Sequence, residues 1–171
     1  MDRVFRTDRL TFLSYGLLVV AYALFIAFLV HRAGGVNFSA FILAVLVLPV
    51  FGYFFFLVKK RVRVTEQGIE VFGLTGRKEI RWQDVVSVSL VPGRKYFLFV
   101  ESKDGTLAVV DDSFEEFPEI VRLVGEKAPK GSLSENYWEV AKGFRRSYLS
   151  PAILIVAAVV LIGIVVKSAL Q

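Results

Sequence analysis

The stretch "VKKRVRVTEQGIEVFG", Val58 to Gly73, joins two kinds of sequence. Upstream lies an uncharged apolar run from Phe38 to Val58; downstream the chain alternates like a β-strand. Between them Lys59, Lys60, Arg61 and Arg63 put four cations into five positions. Apolar residues followed by a cationic cluster are the mark of a membrane span and its stop, because Lys and Arg flanking a span are retained on the cytoplasmic side.

Two further runs resemble the one before this junction. Leu10 to Val30 contains no Asp, Glu, Lys or Arg, and Tyr148 to Val166 is likewise uncharged. At about 1.5 Å per helical residue, the first two runs match a hydrocarbon core of about 30 Å. The third reaches that depth from Tyr148 with Lys167 snorkelling. In a chain of 171 residues that is 55% hydrophobic, the remaining residues are too few to cover three such helices as the core of a soluble domain. A cleaved leader is the other reading of the first run, given Arg3, Arg6 and Arg9, but the run is long for such a segment and "LVHRAGG" offers no clean cleavage site.

The expected organisation is a transmembrane hairpin over 1–58 with spans at about 10–30 and 38–58, a cytoplasmic domain over 59–130, an amphipathic helix over 131–147, and a third span over 148–171. Arg3, Arg6 and Arg9 precede the first span, Lys59 to Arg63 follow the second, and Lys142, Arg145 and Arg146 precede the third, whereas only Arg32 and Lys167 flank the opposite ends. Charge therefore predicts the N-terminus and the domain in the cytoplasm, the loop His31–Asn37 and the C-terminus outside, and a multi-pass protein of a bacterial inner membrane. The short interhelical connection predicts that the first two spans pack as a hairpin, with Pro49 kinking the second.

From Arg61 to Pro129 six short strands follow one another, punctuated by "EQG", "GLTGRK" and "SKDG". The Asp104-Gly105 pair predicts a tight hairpin. "DDSFEEFPEIVRLVGEK" then has helical spacing, with Ser113 and Glu116 as a capping box or with Pro118 as the first regular residue. Strands closed by one helix predict an α+β roll or partly open barrel. Leu133, Tyr137, Ala141, Phe144 and Tyr148 share a second helical face, which predicts a helix lying on the inner interface or running on until Pro151; a solvated linker helix is the alternative.

The order Gly68-Ile69, then Ile80-x-Trp82-x-Asp84-Val85, a hairpin and a C-terminal helix resembles bacterial pleckstrin-homology-like (PH-like) domains attached to transmembrane spans, over residues 59 to 128. The resemblance implies an antiparallel β-roll with seven strands where six are visible. The seventh is expected to be short, merged with the basic stretch, or absent. Ile80 and Trp82 are expected in the core, with Asp84 capping the turn into the next strand.

Nothing here predicts catalysis, a cofactor or a metal site. Cysteine is absent and His31 is the sole histidine, which removes triads and His-based metal pairs. Gly68 and Gly73 have the offset of a phosphate loop, but Leu74-Thr75 stands where that loop needs Lys-Ser/Thr. The acidic pairs Asp111-Asp112 and Glu115-Glu116 read as charges at a helix start. Between Lys59 and Ser147, 16 Lys and Arg face 14 Asp and Glu, which argues against nucleic acid as a partner. Two readings remain. In one the domain binds other integral membrane subunits as an accessory, scaffold or assembly factor. In the other Lys59, Lys60, Arg61, Arg63, Arg145 and Arg146 gather anionic lipid headgroups. Three spans already anchor the chain and the "EQG" connection is short and acidic, unlike the basic loop by which eukaryotic PH domains take phosphoinositides. The protein-partner reading is therefore preferred, with lipid contact secondary.

Overall fold

A computed structural model describes residues 2–36, 38–73 and 76–171. Leu74-Thr75 at the centre of the "GLTGRK" turn and Asn37 at the end of the interhelical loop lie outside the described residues. The order of elements is β1 (Arg3–Arg6), α1 (Arg9–Arg32), α2 (Phe38–Lys59), β2 (Arg61–Val64), β3 (Gly68–Gly73), β4 (Gly76–Arg81), a 3-10 turn (Trp82–Asp84), β5 (Val85–Val91), β6 (Phe97–Ser102), β7 (Leu107–Asp111), α3 (Phe117–Lys127), α4 (Tyr137–Lys142) and α5 (Leu149–Ala169). These form a helical unit, Arg9–Val58 with Tyr148–Gln171, and a β-rich unit, Lys59–Ser147 together with the segment that ends at Asp8.

All three helices of the helical unit are long and apolar enough to cross a membrane. They bury little: Leu18 and Ala21 of α1 with Ala158 of α5 make its core. α1 packs most closely against α5 rather than against its sequence neighbour α2. The reason is side-chain size, since Ala21 and Ala158 are both 0% exposed and small residues let helix backbones approach. α2 meets α1 through bulky rings instead, Phe12 on Phe54 at 5.2 Å and Tyr15 on Tyr53 at 5.0 Å between centroids. The first two spans thus do pack on each other through these rings, while the closest helix approach is between α1 and α5. α2 runs helical through Pro49.

The β-rich unit has two antiparallel sheets, ordered β1-β2-β3-β4 and β5-β6-β7. They form a roll-like α+β arrangement, not a closed barrel. Period-2 alternation explains the junction stretch: in β2, Val62 and Val64 are buried while Arg61 and Arg63 point out. Gly68 faces Arg81 across the β3–β4 ladder, where a Cβ would stand 2.2 Å from the Ile80 carbonyl oxygen. The β6–β7 hairpin turns on Gly105 at φ +81°, a conformation that glycine adopts without strain. Ile80 is buried, and buried Trp82 donates its indole N–H to the Thr65 carbonyl at 3.1 Å. Asp84 closes the 3-10 turn into β5, and its carbonyl accepts the Lys103 amide.

The seventh strand comes from the N-terminal segment, outside residues 59 to 128. β1 precedes the first long helix and pairs antiparallel with β2, which follows the second, in the register Arg3–Val64, Val4–Arg63, Phe5–Val62 and Arg6–Arg61. The segment ending at Asp8 therefore belongs to the β-rich unit and not to the helical hairpin. One helical boundary is decided between its two alternatives and another moves. α3 begins at Phe117 with Pro118 in its first turn, after Glu116 in a left-handed conformation (φ 55°), so the Ser113/Glu116 capping box does not form. The amphipathic helix over 131–147 shrinks to the six residues of α4, because Leu133 bridges to Val88 of β5 and Tyr137, 0% exposed, is drawn into the core. There the Tyr137 hydroxyl donates to the Val121 carbonyl at 2.6 Å. Burial holds its phenol well above the ordinary tyrosine value.

Candidate functional site

The six cations expected at a headgroup surface have very different surroundings. Lys60 is 8% exposed. Its Nζ donates to Asp111 Oδ1 at 2.6 Å and to Ser113 Oγ at 2.7 Å, and it stands 4.6 Å from the Phe114 ring centroid. Burial pulls the Lys60 ammonium down from the usual lysine range, against the opposing charge of Asp111. Burial would raise the Asp111 carboxyl, but the charge and hydrogen bond of Lys60 outweigh it, so Asp111 is held below the usual carboxylate range. Arg61 stacks over the Phe72 ring at 4.0 Å, Arg63 pairs with Asp2 at 2.7 Å, and Arg146 pairs with Asp8 at 2.9 Å. Lys59 and Arg145 are exposed and have no ion pair among the described residues.

Two of those contacts, at Asp2 and Asp8, flank β1. The strand lies in a slot with β2 on one side and the 113–115 segment on the other. The Asp8 amide donates to the Ser113 carbonyl and the Glu115 amide donates to the Arg6 carbonyl, both at 2.8 Å. Phe5 is the strand's buried anchor, 5% exposed and opposite Val62. Arg3 reaches α3, where its guanidinium donates to Glu119 at 2.7 Å. Lys60 sits immediately before β2 and bonds residues 111 and 113, tying one wall of the slot to the other. Sequence reasoning missed this site because "RVFRT" has a basic residue on its inward face, and it was read only as topogenic charge. The one signal for it was the strand short of seven.

Two other concavities lie within the β-rich unit. A polar cleft of about 320 Å³ is lined by Asp2, Arg63, Glu66, Glu70, Glu79 and Arg81 among others, carrying both signs of charge. An apolar groove of about 180 Å³ between α3 and α4 is lined by Leu90, Phe117, Val121, Trp138, Ala141 and Phe144, with Arg122 and Lys142 at its rim. Trp138 is 43% exposed there, and its indole lies against Gly125, where a Cβ would be 2.7 Å from the ring. Among the described residues no three His, Asp or Glu converge as a metal site.

A seven-stranded pair of sheets with a helix packed on them is the PH arrangement, and residues 59–113 match the family model described as bacterial PH domain. The middle of the chain is similar to a bacterial PH domain. The match begins at Lys59 and ends at Ser113, so it covers β2 to β7 and leaves out both β1 and α3. No curated protein and no solved structure matches the chain.

Proposed function

We propose that this chain is a non-enzymatic, multi-pass protein of a bacterial inner membrane whose PH domain faces the cytoplasm and binds protein partners, as an accessory, scaffold or assembly subunit of a membrane complex. The observation that carries the reading is the occupation of the cations. Lys60 is buried against Asp111, Arg63 and Arg146 have Asp2 and Asp8 beside them, and Arg61 lies over Phe72, so four of the six candidate headgroup cations already have partners within the domain. Exposed apolar surface remains, including Trp138 and the groove beside it, and such surface is characteristic of protein contacts. The orientation is supported by β1–β2 pairing: the strand before α1 and the strand after α2 share one sheet, so both ends of a spanning hairpin lie on one side, and the cations favour the cytoplasmic side.

Anionic lipid contact is the second reading, resting on exposed Lys59 and Arg145, each contributing about 1 kcal/mol at most. Purification of the full chain in mild detergent with identification of co-eluting subunits tests the first reading. A stoichiometric membrane partner is expected, and recovery as a lone chain would remove it. Salt-sensitive retention by anionic liposomes with no partner would favour lipid.

A further inference from the structure

The cytoplasmic partner site needs an address, and the geometry around β1 supplies one. The walls of its slot are held without β1. β2 is paired on its other side with β3 and buries Val62 and Val64, while the opposite wall is fixed by Phe114, 0% exposed, and by the Lys60 bonds to Asp111 and Ser113. The occupant is held more lightly. It is a strand of four residues with one buried side chain, Phe5, followed by buried Thr7. Its flanking ion pairs, Asp2–Arg63, Arg3–Glu119 and Asp8–Arg146, all involve partly or fully exposed partners, and such pairs are weak and screened by salt. Short segments anchored by few buried apolar side chains are among the first to open. Backbone donors and acceptors stand ready on both walls, which is what strand addition requires.

We propose that the channel between the outer edge of β2 and residues 113–115 is a strand-binding site for an extended peptide with one aromatic anchor, filled in the resting chain by residues 3–7 and taken by a partner's strand when these leave. The site prefers an aromatic at the Phe5 position, a cation two residues before it to meet Glu119, and an acid three residues after it to meet Arg146. Because β1 is joined to β2 through α1 and α2, the resident strand is a tethered competitor, and it can seat only when both ends of that hairpin are on one side. The inference deepens the protein-partner reading and rests on it for the identity of the natural ligand.

The test uses the full chain in detergent, with residues 2–8 deleted, and a labelled peptide of sequence Asp2 to Asp8. Saturable binding is expected, at least tenfold weaker to the intact chain and to a peptide carrying Phe5→Asp. A folded deletion chain that binds both peptides alike, or neither, overturns the site. Where the deletion does not fold, the intact chain bearing Phe5→Ala replaces it: excess wild-type peptide should raise its melting temperature, and no rise is a refutation. The link to partners is read separately. The chain has no cysteine, so Val4→Cys with Arg63→Cys, which are cross-strand neighbours, can lock β1 in place by oxidation. Loss of co-eluting partner on locking is expected, and undiminished partner puts that contact elsewhere. Peptide binding in a chain that co-elutes with nothing would sink the accessory reading and leave the slot standing.

Discussion

Lys59 and Lys60 are adjacent and identical in type, one closing α2 and the other leading into β2, at the junction of two units that obey opposite rules. In the helical unit apolar side chains face outward, Leu46 and Val156 among them, and the buried core amounts to a few residues around Ala21 and Ala158. In the β-rich unit apolar side chains face inward from both sheets and α3, and the surface is charged. Lys59, the last residue of α2, remains exposed. One residue on, Lys60 has entered the second regime, where a cation is tolerated only because Asp111, Ser113 and the Phe114 ring receive it. What differs between the two lysines is their surroundings, and surroundings are a tertiary property.

The sharpest way to break this contrast is Lys60→Ala. It leaves Asp111, whose side chain keeps 18% exposure, without its partner, and a loss of about 3 kcal/mol of domain stability is expected, the lower end of the cost of breaking a buried pair. Denaturant unfolding followed through Trp82 and Trp138 fluorescence would measure it. Replacing both partners, with Lys60→Met and Asp111→Leu, should recover much of that loss. The same pair sets an acid response. Asp111 has a folded value below its unfolded one, so its contribution is complete above the ordinary carboxylate range and is lost as pH falls through the lower folded value. In Lys60→Met, burial without the cation raises Asp111, and the wild-type-minus-mutant stability difference should shrink on acidification; a difference independent of pH would show that the pair is not ionised.

Phe5→Ala comes next. It empties the anchor pocket of β1 and should cost about 3 kcal/mol, the lower end for a buried phenylalanine, since the strand lies at an edge. A negligible change in the unfolding midpoint would mean that β1 does not belong to the sheet. Ala158→Leu sharpens the contrast from the other side. Overpacking a close helix contact costs about 1–3 kcal/mol, here in the α1–α5 pair, and it should lower energy transfer between probes on those helices in bilayers while the β-rich unit unfolds as before. The smallest effect belongs to Lys59→Ala, which should leave the unfolding midpoint of the domain within error although it removes the same charge as Lys60→Ala.

Much of this was legible in advance, and the reasons are local. Three apolar runs read as spans because length and hydropathy act residue by residue. Val62 and Val64 against Arg61 and Arg63 read as a strand because the period of two is written in consecutive positions. The hairpin at Gly105 followed from a pair that tolerates positive φ. The α4 region was misread because Leu133 and Tyr137 do share a helical face, but β5 and α3 compete for them and win. β1 was invisible for a related reason: its inward residues are Arg3, Phe5 and Thr7, whose burial depends on partners more than fifty residues away.

The amino-acid sequence alone determined that the chain has three helices fit for a bilayer and a β-rich domain between the second and third, because hydropathy, alternation and turn chemistry are properties of neighbours along the chain. Only the tertiary structure decided that the N-terminal residues complete the sheet, that α1 pairs with α5, and which of two adjacent lysines is buried. Those outcomes depend on which distant groups meet, and a strand edge or a buried charge has no preferred partner until the fold brings one within reach.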